Sequence, residues 1–549
     1  MSMLLQGFVR NRLVLTISLL SFGIGIVGIH YALPMHVIGD EESIIAGSLT
    51  MLQTRNFIPA LQPNIFDLLY YPVLLPYLTL LAMMPVLIAK FAAGGFSVSA
   101  LQDYFALNQS ALWISARALV AVSGGALVFI VFRLGELLYN RRTAFWASLF
   151  LLTSFFHVSL THWMKHWVPA ALVAYGVFYL VARDVSARRN GSVRAGVLSG
   201  ISVGISYVAG FGSAMAALYA WLNRSIFQNR FARYAVRNVI VAAVIGGSLI
   251  SLYYQDFLNQ SVREEGTAAV AKSLGDLVFL LVNAMRALLL QETALLAIAV
   301  LGLLVVRKFH HANSFVFGSV LLYFISMYLV VHFEPRYVYL IVPALALSAG
   351  SFIDWLYRQL RRPLALFFAC LFIAYPAGIS FQYLHLLLAP DTRQVAVTWI
   401  QDHVKDDPFL LSSRSISLYR QPSVVQMVAS YESLRAGERY ELAHAERFAS
   451  LTRDSYSYTN IHFWPSGTSL DTLNDYLDGF RPKYFIVEYW GLTDLSSEEY
   501  SLIAGSTLVA SIRQSSAGDP IDVNGNFYTP STAVFSLDRL GPNVDVYRL

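Results

Sequence analysis

Hydrophobic positions in this chain fall into long runs that recur from Leu13 to about Leu387. Each run is close to the length that crosses the hydrocarbon core of a bilayer, and basic residues stand mainly at the ends of the runs. From about Asp391 the chain becomes polar and charged, with only short apolar segments. The pattern predicts a polytopic α-helical membrane domain at 1–388, with about ten to thirteen membrane segments, and a soluble external α/β domain at 389–549.

Composition supports this division and excludes other classes of protein. Of the 549 residues, 56% are hydrophobic and only 13% are charged, about half the charge of a soluble protein. The net charge of +5 comes from residues that flank the apolar runs, and the soluble part has no basic run with interleaved aromatic residues, so a nucleic-acid partner is not expected. Cys370 is the single cysteine, which excludes a disulfide within the chain and argues against a thiolate metal site.

The basic residues predict an orientation. Arg10 and Arg12 place the start of the first span, residues 13–34, in the cytoplasm, and no small-residue cleavage site follows, so we expect a retained anchor. The acidic stretch at 39–42 therefore emerges on the outer face. Later basic clusters continue the alternation and place the C-terminal domain outside a plasma membrane.

Two apolar segments do not fit the pattern of a single membrane-crossing helix. Residues 73–110 must begin and end on the outer face, as a hairpin, a re-entrant piece or a surface helix. Residues 195–222 have basic clusters on both sides, which predicts two half-helices hinged near 207–212 that dip into the membrane and return. Within them, Gly196, Gly200 and Gly204 share one helical face, a spacing typical of close helix packing.

The stretch Gly39-Asp40-Glu41-Glu42 is the candidate site for chemistry. Three consecutive carboxylates at this depth cannot face lipid without a cost of several kcal/mol, so they face water or a cavity. Asp40 and Glu41 form a candidate acid/base pair that could take a proton from an incoming hydroxyl or amine. A solvated loop of acids with no chemical role is the alternative.

Cations on the same face suggest a phosphate-bearing partner. Arg55, Lys165 and Arg336 could neutralise a lipid phosphate, the arginines by paired hydrogen bonds and the lysine as a point charge. Each could instead be an interfacial anchor. His162 and His166 stand four residues apart and could form a metal pair, but the neighbouring tryptophans favour an aromatic belt at the membrane surface, and Tyr71 has the same alternative.

Motifs in four places resemble GT-C glycosyltransferases of the protein O-mannosyltransferase and aminoarabinose transferase group, glycosyltransferase family 39. Together they cover nearly the whole chain, and their order and sidedness carry the resemblance. They are Gly39-Asp40-Glu41 followed by 54–59 and Tyr71-Pro72; Arg141-Arg142 with 162–165; Glu334-Pro335-Arg336-Tyr337 with 342–344; and Asp391-Thr392-Arg393 with Trp399-Ile400 and the closing 541–549.

The resemblance implies transfer of a sugar from a polyprenyl-phosphate carrier to a lipid, glycan or protein acceptor on the outer face. Asp40 matches the first-loop catalytic aspartate, Glu41 its neighbour, and Arg336 the arginine near the lipid phosphate. Further candidates for the substrate pocket are Tyr71, His162, Glu334 and Tyr337. One position departs from the pattern: Trp167 stands where related enzymes often carry an aspartate, so no divalent metal or other cofactor is expected.

Two other functions remain open at this stage. A lipid flippase or transporter would need polar residues near the membrane midplane or paired broken helices in two related halves, and the sequence predicts one broken segment and no internal repeat. A non-catalytic anchor for the external domain would not need acids and cations gathered at the outer edge.

Overall fold

The computed structural model describes most of the membrane part and part of the tail. The described residues are 2–33, 35, 39–61, 72–189, 192–227, 230–252, 274–305, 312, 316, 318–324, 335–404, 409–412, 457–460, 483–491, 495–515, 520–523 and 529–549. Tyr71 and Glu334 lie outside these ranges. The backbone of Asp40 is described and its side chain is not.

The membrane part is built of helices around one extended apolar core. Its helices are α1 Ser2–Ile26, α2 Gly39–Thr54, α3 Leu74–Ala93, α4 Val98–Leu107, α5 Ser110–Leu138, α6 Arg141–Thr153, α7 Phe155–Leu160, α8 Trp167–Ser186, α9 Arg194–Ile205, α10 Phe211–Leu222, α11 Arg224–Phe227, α12 Phe231–Ser251, α13 Leu274–Gln291, α14 Thr293–Val305, α15 Val342–Gln359 and α16 Arg362–Leu388. A 3₁₀ turn, Pro335–Ile341, leads into α15.

Six helical segments among the described residues are long and apolar enough to cross a membrane. They are Leu74–Ala93, Ser110–Leu138, Trp167–Ser186, Phe231–Ser251, Pro335–Gln359 and the start of Arg362–His403, and a bent pair, α13 with α14, could form a seventh. The polytopic helical prediction is confirmed. The sequence-based number is larger because it includes 144–160, which is broken at Ser154, and 314–331, which lies largely outside the described residues.

The segment after α3 is too short to form a two-span hairpin. Helix α4 has 10 residues, which gives a length of about 15 Å, half the thickness of the hydrocarbon core. Of the three alternatives for residues 73–110, a hairpin of two complete spans is therefore excluded. Helix α3 packs along α5 through Leu80, Met83 and Leu87, which belong to the main core.

Residues 194–222 form the predicted helical hairpin. Helices α9 and α10 are separated at Ser206 and a 3₁₀ turn, Tyr207–Gly210. The hydroxyl groups of Ser199 and Ser213, each seven residues from Ser206, hydrogen-bond to each other. Ala195 and Ala220, near the two ends of the segment, share one apolar cluster. The chain therefore turns back on itself as the sequence predicts.

The glycine face of α9 packs directly on α12. A Cβ atom on Gly196 would lie 2.5 Å from the carbonyl oxygen of Asn238, and one on Gly200 would lie 2.9 Å from that of Ala242. A Cβ on Gly204 would meet the Leu249 side chain at 2.5 Å. The prediction of close helix packing is confirmed, since larger side chains would force the two helices apart.

A bend between α13 and α14 was not foreseen. The chain bends by 112° between the two helices at Glu292, whose side chain is buried. Its Oε1 atom accepts hydrogen bonds from the hydroxyl of Ser154 at 2.5 Å and from the backbone N–H of Phe156 at 2.8 Å. The carboxyl group thereby holds the start of α7, where the predicted span 144–160 is interrupted, against the bend.

The tail is a mixed α/β unit, as predicted. Helix α17, Thr392–His403, is followed by β1 Phe409–Ser412, β2 Ser457–Asn460, β3 Tyr484–Tyr489, α18 Ser497–Ala504, β4 Thr507–Ile512 and β5 Asn543–Arg548. The sheet order is β2-β1-β3-β5-β4. Strand β1 is parallel to β2 and β3, and β5 is antiparallel to β3 and β4. The closing motif thus supplies an interior strand of the sheet.

The tail packs directly on the membrane part near Tyr31, Trp163 and Tyr383. One apolar cluster combines Tyr31, Trp163 and Tyr383 from the membrane part with Val523 and Val534 from the tail. Polar contacts follow the same boundary: the Ser531 hydroxyl donates to the carbonyl oxygen of Gln291 at 3.2 Å. The tail therefore packs on the segment that follows α1 and on the loop between α7 and α8.

Candidate functional site

Glu41 is fully engaged with a cation that the sequence reading did not single out. The Nε atom of Arg117, on α5, donates to Oε1 of Glu41 at 2.9 Å, and Nη2 donates to Oε2 at 2.7 Å. Both side chains are buried: that of Arg117 is 1% exposed and that of Glu41 is 2% exposed. This fork-to-fork geometry is the strongest form of a carboxylate–guanidinium contact, and burial removes the screening that weakens surface pairs.

The same arginine holds the segment before the acidic stretch. Its Nη1 atom donates to the carbonyl oxygens of Ile29 at 2.8 Å and Tyr31 at 2.9 Å, and its guanidinium lies 5.0 Å from the ring of Trp163. All three of its nitrogen atoms therefore have acceptors, which a buried charge requires. One side chain fixes the end of the first apolar segment, the start of α2 and the loop that contains Trp163.

Glu41 also ties α2 to the loop between α7 and α8. The backbone N–H of Met164 donates to Oε1 of Glu41 at 2.6 Å. Met164 is the chain neighbour of Lys165, and Glu41 is the chain neighbour of Asp40. The contact therefore brings the first turn of α2, which contains the Asp40 backbone, next to the loop that contains Lys165.

Lys165 and His162 are both buried in that loop. Lys165 is 6% exposed, and its backbone N–H donates to the carbonyl of Trp163 at 2.7 Å. The His162 ring contacts backbone oxygens through both nitrogens, Nδ1 with Val158 at 2.6 Å and Nε2 with Val27 at 2.9 Å. These contacts make His162 part of the packing between the loop and the end of α1, and they argue against an aromatic membrane belt at this position.

An aromatic stack joins the same loop to Arg336. The rings of His166 and Trp167 lie 4.0 Å apart between centroids, and those of Trp167 and Tyr337 lie 4.6 Å apart. Arg336 and Tyr337 are half-buried in the 3₁₀ turn before α15. Trp167 thus places its ring between His166 in the lysine loop and Tyr337 in the arginine turn.

Arg55 stands apart from this group. It follows the last residue of α2, with φ of +55°, and its side chain is exposed. Fourteen residues of helix separate it from Glu41, about 20 Å at the rise of an α-helix. The structure thus brings the chain positions 40–41, 162–165 and 336–337 together and leaves Arg55 at the far end of the helix.

Solved structures similar to this chain come from membrane enzymes. ArnT from Cupriavidus metallidurans superposes with a TM-score of 0.47 and 13% identity in its apo state, and with 0.46 and 12% when bound to undecaprenyl phosphate; each match covers 98% of both chains. The archaeal oligosaccharyltransferase AglB from Archaeoglobus fulgidus, in complex with an inhibitory peptide and a dolichol-phosphate, gives 0.46 and 12%, covering 98% of this chain and 88% of its own.

The neighbours are GT-C glycosyltransferases, the class that the sequence motifs resemble. No family model matches the chain, and no curated protein matches it.

The described part of the chain contains no evident metal-binding site. Among those residues, no cluster of three or more His, Cys, Asp or Glu side chains could hold a metal ion. His162 and His166, the pair considered from spacing, both face packing partners rather than each other. Metal independence stays a prediction.

A second buried network ties the tail to the segment that follows α1. Asp391, fully buried, accepts hydrogen bonds from the Tyr31 hydroxyl and from Nε of Arg393 at 2.8 Å. Arg393 also lies 3.5 Å from Glu488. Burial alone would lower the pKa of Arg393, but the charge of Asp391 raises it above its ordinary value. The guanidinium therefore stays charged and holds α17 against residues 31–33, where Gln394 reaches the Leu33 carbonyl at 2.9 Å.

Proposed function

We propose that the protein is an integral membrane glycosyltransferase that moves a sugar from a polyprenyl-phosphate donor to an acceptor at the outer end of its helix bundle. The observation that supports this most directly is the contact chain from α2 through the 162–167 loop to the 335–341 turn. It gathers the chain positions of a candidate base, Asp40, and two candidate phosphate-binding cations, Lys165 and Arg336, at one place.

The proposed reaction is an inverting displacement at the anomeric carbon of the sugar. Asp40 takes the proton of the acceptor hydroxyl or amine as its oxygen or nitrogen attacks, and the bond from the anomeric carbon to the phosphate oxygen breaks. Arg336 and Lys165 neutralise the charge that develops on the leaving lipid phosphate. Stabilisation of developing charge by fixed donors is usually the largest contribution to catalysis.

Glu41 has a different role in this proposal from that of a second acid/base group. Its two oxygen atoms are occupied by Arg117 and by the Met164 backbone N–H, and it is 1% exposed. A carboxylate so engaged is a positioning residue: it fixes the first turn of α2, and with it Asp40, relative to the lysine loop. A rigid support of this kind keeps catalytic groups within the narrow geometry that catalysis needs.

One structural observation bears on the transporter alternative. The described residues contain three interrupted helical segments, the break at Ser154 between α6 and α7, the α9–α10 hairpin and the bend at Glu292, where the sequence predicted one. They are unlike: the hairpin turns back through a serine pair, whereas the bend and the break at Ser154 are joined by one buried carboxyl group. A flippase built on paired halves would show related breaks.

Transfer assays separate the two functions. Membranes that contain the full-length protein are given a panel of radiolabelled polyprenyl-phosphate sugars, with membranes of the Asp40→Asn variant as the matched control. A glycosyltransferase moves label from lipid to acceptor only with the unaltered protein. Movement of the intact labelled lipid between leaflets, without release of lipid phosphate, would favour a flippase instead.

A further inference from the structure

A charged cleft lies at the opposite end of the bundle from the site above. It has a volume of about 670 Å³ and opens where α6 begins and α15 ends; its lining is Asn140, Arg141, Arg142, Phe145, Asp354 and Arg358. Helix α6 runs from this cleft to Thr153, next to the Ser154–Glu292 contact, and its 13 residues span about 20 Å. The cleft is therefore separate from the groups proposed to act on the sugar donor.

The cleft carries an excess of positive charge. Its lining contributes three guanidinium groups and one carboxylate, which leaves two positive charges. Asp354 is buried and accepts hydrogen bonds from Asn140 at 3.0 Å, from Arg142 at 3.4 Å and from Arg358. One buried acid thus orients the arginines without neutralising them.

The backbone around the cleft is fixed. A Cβ atom on Gly350 of α15 would lie 2.5 Å from the carbonyl of Thr143 and 2.7 Å from the N–H of Ala147 on α6, so the two helices touch backbone to backbone. Asn140 caps α6 by accepting from the backbone N–H groups of Arg142 and Thr143. The Arg142 guanidinium lies 5.0 Å from the Tyr357 ring, and 46% of its side chain is exposed.

We propose that this cleft binds a phosphate group, carried either by the head of an anionic phospholipid or by a soluble phosphate compound. Two or more guanidinium groups held in fixed positions match the oxygens of a phosphate, because each presents paired N–H donors in one plane. Arginines that only mark membrane orientation would extend singly into the headgroups. Here they converge on one cleft around a shared buried acid, and Phe145 adds an apolar wall.

The test uses the full-length protein, purified in detergent and stripped of lipid. Binding of phosphatidylglycerol and of phosphatidylcholine is titrated by native mass spectrometry. The unaltered protein is compared with Arg142→Gln and with Arg133→Gln, which removes one charge near the same end of the bundle, outside the cleft lining and paired with Glu136 at 2.9 Å. We expect selective binding of phosphatidylglycerol, weakened roughly fivefold by Arg142→Gln and unchanged by Arg133→Gln.

A variant that disturbs orientation without removing a positive charge keeps the test informative. Asp354→Asn removes the carboxylate that orients Arg142 and Arg358, so it should weaken binding of phosphatidylglycerol although it raises the net positive charge of the cleft. Competition with glycerol 3-phosphate and inorganic phosphate then identifies the source: no displacement at millimolar concentration assigns a lipid headgroup, and displacement assigns a soluble compound. Equal binding of both lipids, or equal losses in the two arginine variants, would overturn the proposal.

Discussion

The carboxylate of Glu41 and the guanidinium of Arg117 form a two-point ion pair in the interior of the protein, with N–O distances of 2.9 Å and 2.7 Å. The pair joins α2 to α5 across 76 residues of chain. Because Arg117 also binds the carbonyls of Ile29 and Tyr31, it holds the backbone that follows α1 as well as the first turn of α2. The geometry of the candidate site depends on this contact.

Breaking the pair should destabilise the end of the bundle that contains Glu41 and Arg117. Glu41→Gln leaves the Arg117 charge buried without its counter-ion, which costs about 3–5 kcal/mol. Thermal unfolding in detergent should show a large loss of stability. The control is Glu136→Gln, since the Glu136–Arg133 pair is partly exposed and should contribute less than about 1 kcal/mol. A double variant, Glu41→Leu with Arg117→Met, should recover part of the loss; strictly additive losses would mean that the two residues are not coupled.

Sequence reasoning found the acidic stretch but assigned its second member a chemical role. The missed signal was Arg117, a charged residue within the apolar run 111–132, which is a rare and costly placement that calls for a partner. The hydropathy pattern alone cannot identify Glu41 as that partner, because Glu41 is distant in sequence and the contact depends on how α2 packs on α5. The helical hairpin was easier to predict, since basic flanks and a glycine face are both local patterns.

In the tail, too, local features could be predicted from the sequence and long-range contacts could not. The mixed α/β class of the tail follows from local patterns in the sequence, and the structure contains it as α17, α18 and a five-stranded sheet. The meeting of Asp391, Tyr31 and Gly541 could not be predicted, because it joins positions far apart in the chain through the docking of two domains.

Gly541 should be intolerant of any side chain. Its φ is +105°, and a Cβ atom would lie 2.3 Å from Oγ1 of Thr392 and 2.6 Å from Oδ1 of Asp391. Gly541→Ala should therefore strain the backbone by about 1–3 kcal/mol and displace the Asp391 side chain. Hydrogen exchange over α17 and β5 in the full-length protein should rise. Gly505→Ala is the control, since its φ is −95° and nothing lies within 4 Å. Equal exchange in the two variants would contradict the assigned contact.

Arg336 should require its guanidinium group. Arg336→Ala should abolish most sugar transfer, and Arg336→Lys should restore little, because an ammonium group cannot bind a phosphate through two parallel hydrogen bonds. Arg548→Lys, at an exposed position at the end of β5, should transfer normally. Transfer rates for the three variants are compared at equal protein in membranes. If lysine works as well as arginine at position 336, the residue is an interfacial anchor.

Transfer should be independent of divalent metal. In the described part of the chain no acid or histidine cluster could hold a metal ion, and position 167 beside the lysine loop is a tryptophan rather than an acid. Membranes treated with EDTA and washed should keep their transfer rate. A loss on chelation that manganese reverses would mean that Asp40 binds a metal ion.

Sugar transfer by Asp40→Asn tests the central claim most directly. Asparagine keeps the size of the side chain but lacks the basic oxygen, and a general base contributes about 10²–10⁴-fold to rate. The variant should insert, unfold at the same temperature as the unaltered protein and still bind the lipid-linked donor, yet transfer at least about a hundredfold more slowly. Glu42→Gln should have only a mild effect. Near-normal transfer by a stable Asp40→Asn protein would contradict the account and leave Asp40 without a role in catalysis.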